Sequence, residues 1–193
     1  GATAKERVRA QLGLAEVYAE RLADDERAFE TLSDAFAEDP THPVVLARLV
    51  EAGRVEERSG ELVSILSAPL QDDSAGGATR RVAIALAETY EAMGQALDAL
   101  MVCKRYQVPA STETMLRLLR GLQRYEELAS ALEKALQQPR QGNSQALRLE
   151  LASLYADRLQ MGESAVALYR QILESDPDCT IAIERLFQFV DGS

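Results

Sequence analysis

Tryptophan is missing from this chain, histidine occurs once (His42), and aromatic residues make up only 5% of the 193 residues. There are two cysteines, Cys103 and Cys179, far apart and each among apolar neighbours. One histidine and two distant thiols do not supply the four ligands of a structural zinc site, or the three plus water of a catalytic one. The thiols are read instead as small core-filling side chains. A Ser/His/Asp triad would need His42 as its base, yet His42 sits between Thr41 and Pro43 at an expected helix start. No glycine-rich phosphate loop follows a strand pattern, since "AGGA" at 75–78 is a loop with no strand beside it. No catalytic residue, metal site or cofactor is therefore expected, and the chain is read as non-enzymatic.

Long apolar runs are also missing. None approaches the roughly 18 residues of a membrane span, so no membrane insertion is expected. The opening "GATAKERVRA" lacks the apolar core of a signal peptide. Gly1-Ala2 leaves the native start, and with it the localisation, open, the cytoplasm being slightly favoured. Basic residues are scarce: 21 Lys and Arg stand against 31 Asp and Glu, a net charge of −10. The imbalance is uneven. Residues 1–75 carry 16 acidic and 8 basic side chains (16 − 8 = 8 negative), and the remainder 15 and 13 (15 − 13 = 2 negative). Nucleic-acid affinity comes from Lys and Arg displacing counterions, so a nucleic-acid partner is not expected. Anionic lipid would repel such a chain. Arg outnumbers Lys 18 to 3, a bias that points to a GC-rich bacterial genome.

Alanine and leucine are what the chain has in quantity, and they favour helix over strand. They also recur in register. A shift of 137 residues lays "LAEVYAERLADDERAFETLSDAFAEDP" (14–40) on "LASLYADRLQMGESAVALYRQILESDP" (151–177) without a gap. Leu14, Ala15, Tyr18, Ala19, Arg21, Leu22, Ala28, Asp39 and Pro40 meet identical residues, and further on Arg48-Leu49 meets Arg185-Leu186. The shift is four units of about 34 residues, the period of a helical-hairpin array. Weaker copies lie between. "LAETYEAMGQALDAL" (86–100) restates the Leu-Ala-x-x-Tyr opening, "YEELASALEKALQQP" (125–139) restates a second helix ending in proline, and 47–66 is the most degenerate copy. The small residues have a physical reason, because antiparallel helices approach closely only where a small side chain faces a large one. Pro40 ends the second helix by steric conflict with the turn before it.

This pattern resembles the tetratricopeptide repeat (TPR) family over nearly the whole chain. There are departures. Gln11, Ala83 and Arg148 stand where the family has tryptophan, and Ala15, Ala87 and Ala152 where it has glycine. The first and last full units each carry one extra residue in the turn ("RLADDERA", "RLQMGESA"). The resemblance implies an all-α fold, an α-α superhelix: a right-handed solenoid of TPR-like hairpins with about five and a half repeats and about 11 helices. The expected units are 3–40, 41–70, 76–109, 110–140, 143–177 and a half unit at 178–190. The loop 70–77, "LQDDSAGG", is read as a looser joint in one solenoid, and Gln141-Gly142-Asn143-Ser144 as a shorter break. The last helix, 179–190, has apolar Ile181, Ile183, Leu186, Phe187 and Val190 and no following partner. Either it caps the array imperfectly or the chain is a piece of a longer one, and the register past Pro177 favours the latter.

In such an array the concave side is lined mainly by each unit's first helix, and in TPR-like proteins it commonly holds a peptide or a partner's helix. The groove positions follow about two residues past the leading leucine-type position of each unit and one turn further. They are Glu16 and Glu20, Glu51 and Arg54, Glu88 and Glu91, Arg117 and Arg120, and Ser153 and Asp157. The groove is thus expected to be acidic in three units and basic in the fourth, suited to a basic or amphipathic segment. The alternative is that these charges only solubilise the surface. The Lys, Arg and Asn clamp with which some TPR domains grip a partner's C-terminal carboxylate has no match here. The expected function is a protein-interaction scaffold. Two other readings stay open: an array that self-associates through 179–190, and an accessory arm of a larger enzyme or regulator.

Overall fold

A computed structural model describes residues 3–71, 76–109, 112–137 and 144–191, with the side chains of Glu56, 76–78, Val190 and Asp191 left aside. Eleven α-helices and no strand are found among the described residues. They are α1 (Ala4–Glu16), α2 (Asp25–Glu38), α3 (Pro43–Ala52), α4 (Ser59–Ser67), α5 (Gly76–Ala92), α6 (Ala96–Arg105), α7 (Glu113–Gly121), α8 (Tyr125–Leu136), α9 (Ser144–Asp157), α10 (Gly162–Ser175) and α11 (Thr180–Asp191). The centres of the expected joint (72–75) and break (141–143) lie outside the described residues. The helices group into two units, Gly1–Val108 and Pro109–Ser193.

In the first unit α1 packs on α2, α2 on α3, α4 on α5 and α5 on α6. Small residues sit where the repeat places them. Ala15, Ala28 and Ala35 are buried beside Phe29, Leu32 and Phe36. The starts of these helices follow side-chain chemistry. Thr3 and Glu6 form a reciprocal capping box on α1, and Asp24 accepts from the Arg27 amide at 3.1 Å at the start of α2. The single histidine does the same for α3: His42 Nδ1 accepts from the Val45 amide at 3.3 Å, with Pro43 as the first helical residue. The degenerate second copy is structurally reduced as well. A 3-10 turn at Glu56–Arg58 precedes α4, which is only 9 residues long. Gly53 at the end of α3 is needed there, because a Cβ would lie 2.8 Å from Leu62 Cδ2 and 3.1 Å from Phe29 Cε2.

In the second unit α7 packs on α8, α8 on α9, α9 on α10 and α10 on α11. The repeat read from the sequence returns here as geometry. Asp39 caps α2 at φ −140, ψ 85, and Asp176 caps α10 at φ −144, ψ 85. His42 N reaches Asp39 O, and Cys179 N reaches Asp176 O, both at 3.2 Å. The extra residue widens the closing turn of the first helix in both the first and the last full unit. In the last full unit it also lengthens the link, since α9 and α10 are joined by 158–161 where α5 and α6 are joined by 93–95. Val17–Arg21 is a π-turn, and Asp24 N bonds Tyr18 O at 2.9 Å; its counterpart Met161 N bonds Tyr155 O at 2.8 Å. Ala23 (φ 49) and Gln160 (φ 54), which align under the shift, both close that turn in the left-handed region. Two units without the extra residue close with a shorter reach, at Gly94 (φ 76) with Gln95 N on Tyr90 O at 2.8 Å and at Gln123 (φ 55) with Arg124 N on Leu119 O at 3.0 Å.

Candidate interaction surface

The groove-side positions expected from the sequence fall into two physical groups. In the first unit, α1 with the turn after it, α2 and α3 present a hollow of about 500 Å³ floored by Ala15, Ala19, Ala28, Leu32 and Ala52. Glu16, Glu20, Asp25 and Glu51 line it together with Arg48 and Arg58. A second hollow, about 470 Å³, is floored by Leu46, Val50, Ile84 and Ala85. Glu51, Arg54, Arg81 and Glu88 line that one. Glu51 belongs to both, so the two adjoin at α3. Five of the six expected residues of this unit therefore come together, while Glu91 lines neither hollow. Glu51 is exposed, and Glu20, Glu51 and Arg54 form no ion pair among the described residues. Glu16 is 3.5 Å from Arg48 Nη1.

In the second unit Arg120, Ser153 and Asp157 are engaged by neighbouring helices. Arg120 Nε bonds Glu150 Oε1 at 2.5 Å and its Nη2 bonds Oε2 at 2.9 Å, a bidentate pair between α7 and α9. Its Nη1 also reaches Glu113 at 3.1 Å. The hydrogen bond to Glu150 pushes the guanidinium pKa up, with burial opposing and the charges of Glu150 and Glu113 reinforcing. Asp157 is taken by Arg185 of α11 at 2.9 and 3.1 Å. Ser153 Oγ lies 3.3 Å from Tyr169 Oη. Arg117 is exposed on α7. The fourth-unit charge expected to make the groove basic is thus, at Arg120, neutralised within its own unit.

One pattern runs through both units. Acid–arginine pairs join successive first helices: Glu16 to Arg48 (α1 to α3), Arg120 to Glu150 (α7 to α9) and Asp157 to Arg185 (α9 to α11). Arg48 and Arg185 align under the shift of 137. The sequence reading passed over Arg48, Arg58 and Arg81, although the Arg48/Arg185 identity was a visible signal. Arg48 and Arg58 make the first hollow mixed in sign rather than acidic throughout, and Arg81 adds to Arg54 in the second.

No family model matches this sequence, and no curated protein matches it. Solved structures do. YrrB, described as a TPR protein with an unusual peptide-binding site, matches at a TM-score of 0.55 and 14% identity over 94% of this chain and 98% of its own. A tetratricopeptide repeat protein from Parabacteroides merdae matches at 0.57 and 18% over 93% and 70%. Pseudomonas aeruginosa PilF matches at 0.54 and 20% over 94% and 82%. The chain has the tetratricopeptide-repeat fold. At these identities the likeness concerns the fold alone. Within the TPR architecture, the absent tryptophan position is taken by Gln11, Ala83 and Arg148, and Ala83 is fully buried.

The remaining chemistry is sparse. Among the described residues no cluster of three or more His, Cys, Asp or Glu could hold a metal ion, and no helix is long and apolar enough to cross a membrane. Cys103 is buried, and burial, aided by the charges of Glu88 and Glu91, pushes its thiol up to about 11.

Proposed function

We propose that this TPR-fold chain is a protein-interaction scaffold that holds an amphipathic segment of a partner along α1, α3 and α5. The observation that carries the reading is Glu51, an exposed carboxylate without an ion-pair partner among the described residues, at the junction of two hollows with apolar floors. Apolar floors with charged rims suit a segment that buries one face and pairs the other. Glu20 and Glu51 would meet basic side chains of that segment, and Arg54 an acidic one. The peptide-binding site reported for YrrB makes a peptide the first class of ligand to try. No catalytic step is assigned to the chain.

Charge reversal at Glu20 and Glu51 together is the test, read as recovery of partners from the source cell's lysate and then as affinity for the partner recovered. The expected result is at least about a tenfold loss, equivalent to about 1.4 kcal/mol. Unchanged affinity sinks the assignment of this surface.

A second reading rests on a separate observation. Ile181 and Phe187 of α11 are 52% and 63% exposed, which supports self-association through this helix. Light scattering over a concentration series distinguishes it, since a strict monomer ends that reading.

A further inference from the structure

The second helices of the repeat share one burial register. Ala28 of α2, Ala99 of α6, Leu128 of α8 and Ala165 of α10 open the same buried stripe. Two residues before that position and two after it, the helix turns outward. There α2 carries Glu26 and Glu30, α8 Glu126 and Ser130, and α10 Glu163 and Ala167, all exposed. α6, which packs on α5 in mid-chain, departs from this plan. It carries Leu97 and Met101, 61% and 68% exposed and one turn apart on one face.

The edge of α6 beside Met101 carries a charge at each end. Asp98 stands in the first turn and Arg105 in the last, two turns apart and so on one edge of the helix. Neither forms an ion pair among the described residues, and the Arg105 guanidinium lies 5.5 Å from the Tyr106 ring centroid. Between them a hollow of about 310 Å³ opens beside Met101, with Leu70, Leu86, Val102 and Tyr106 in its lining. Complementing the helix dipole accounts for both charges but not for the exposed leucine and methionine beside them. Opposite charges placed evenly about the middle of a helix match an antiparallel copy of that helix. A two-fold axis passing between Met101 and Val102 brings Asp98 of each copy level with Arg105 of the other. It also sets the two Met101 side chains against each other, each unbranched, flexible and beside the other copy's hollow.

We propose that the outer face of α6, at Leu97, Asp98, Met101 and Arg105, is an isologous interface on which a second copy of this chain docks antiparallel, Met101 on Met101 and Asp98 on Arg105. It shares no residue with the hollows at Glu51 or with α11, and depends on neither. One helix of 10 residues buries little area, which places the dimer in the weak, transient class.

Light scattering of the full chain from micromolar to millimolar concentration is the test. A monomer–dimer equilibrium is expected, with its dissociation constant raised at least about tenfold in L97E/M101E and unchanged in E51R and in I181E/F187E. The charges give a more specific result. D98R and R105D should each weaken the dimer, because like charges then meet at both contacts. The double variant D98R/R105D restores the pairing, and an equimolar mixture of D98R with R105D forms a heterodimer. All four substituted residues are exposed, so the variants are expected to keep the helical melt of the parent. Should L97E/M101E not fold, the charge series decides. A monomer at millimolar concentration overturns the proposal. So does a dimer that L97E/M101E leaves intact, or one that D98R weakens and D98R/R105D does not restore. A monomeric chain that loses a lysate partner in L97E/M101E would overturn it too, assigning the face to another protein.

Discussion

At the scale of the residue, small differences of environment separate chemically identical groups. Tyr155 is buried and its hydroxyl donates to Glu133, and these together push it up to about 12, burial being the larger cause. Its ordinary value is about 10. A raised value means that the fold favours the neutral phenol, so this contribution is fully present below about pH 10 and lost as pH rises through 12. In an alkaline titration followed by tyrosinate absorbance, one of the six tyrosines should ionise last. Y155F should remove that late step and cost about 0.5–1.5 kcal/mol at neutral pH. A Y155F titration identical to that of the parent would contradict the assignment. Cys103, fully buried with a thiol pushed up to about 11, is expected to resist a thiol reagent until the chain unfolds. Rapid labelling of Cys103 in the native chain would contradict its placement.

At the scale of the element, the repeat makes paired experiments possible. Leu151→Ala removes a buried side chain and should cost about 2–5 kcal/mol. Leu14→Ala, at the aligned but exposed position, should stay within about 0.5 kcal/mol. Thermal melts of the two variants check this, and equal losses would contradict the stated burial. Ala23 closes the widened turn of α1 at φ 49. Ala23→Gly should therefore raise the melting temperature, by up to about 1 kcal/mol of stability, as relief of left-handed strain outweighs the glycine's entropy. A lowered melting temperature would show that the turn is not strained. Much of this scale was legible beforehand. Leu-Ala-x-x-Tyr and Asp-Pro mark a packing face and a helix end, both set by local sterics, and His42 was placed at a helix start where it proves to cap α3. The extra residue was visible too, but not its location.

At the scale of the whole molecule, the sequence carried the fold class and the helix count, because the shift of 137 residues ties distant segments to one hairpin plan. The candidate surface was only partly legible. Spacing places Glu16, Glu20 and Glu51 on one side of their helices, and the hollows of the first unit gather them. Spacing says nothing of which charge meets which, since Arg120 with Glu150 and Asp157 with Arg185 are set by packing between helices 28 or more residues apart. Such exposed or half-exposed pairs contribute about 0–1 kcal/mol each and orient successive helices more than they stabilise them. The charges left for a partner are those the fold does not use, Glu20, Glu51 and Arg54. Binding that depends on them should weaken with salt, because exposed charges are screened over about 8 Å at physiological ionic strength.

The most direct measurement uses the purified chain and its E51R variant side by side as bait in lysate of the source cell, at low and high salt, with captured proteins identified by mass spectrometry. A partner retained by the parent, lost with added salt and lost in E51R is the expected result. A partner retained equally by both baits at either salt would contradict a scaffold that binds through the first-unit hollows.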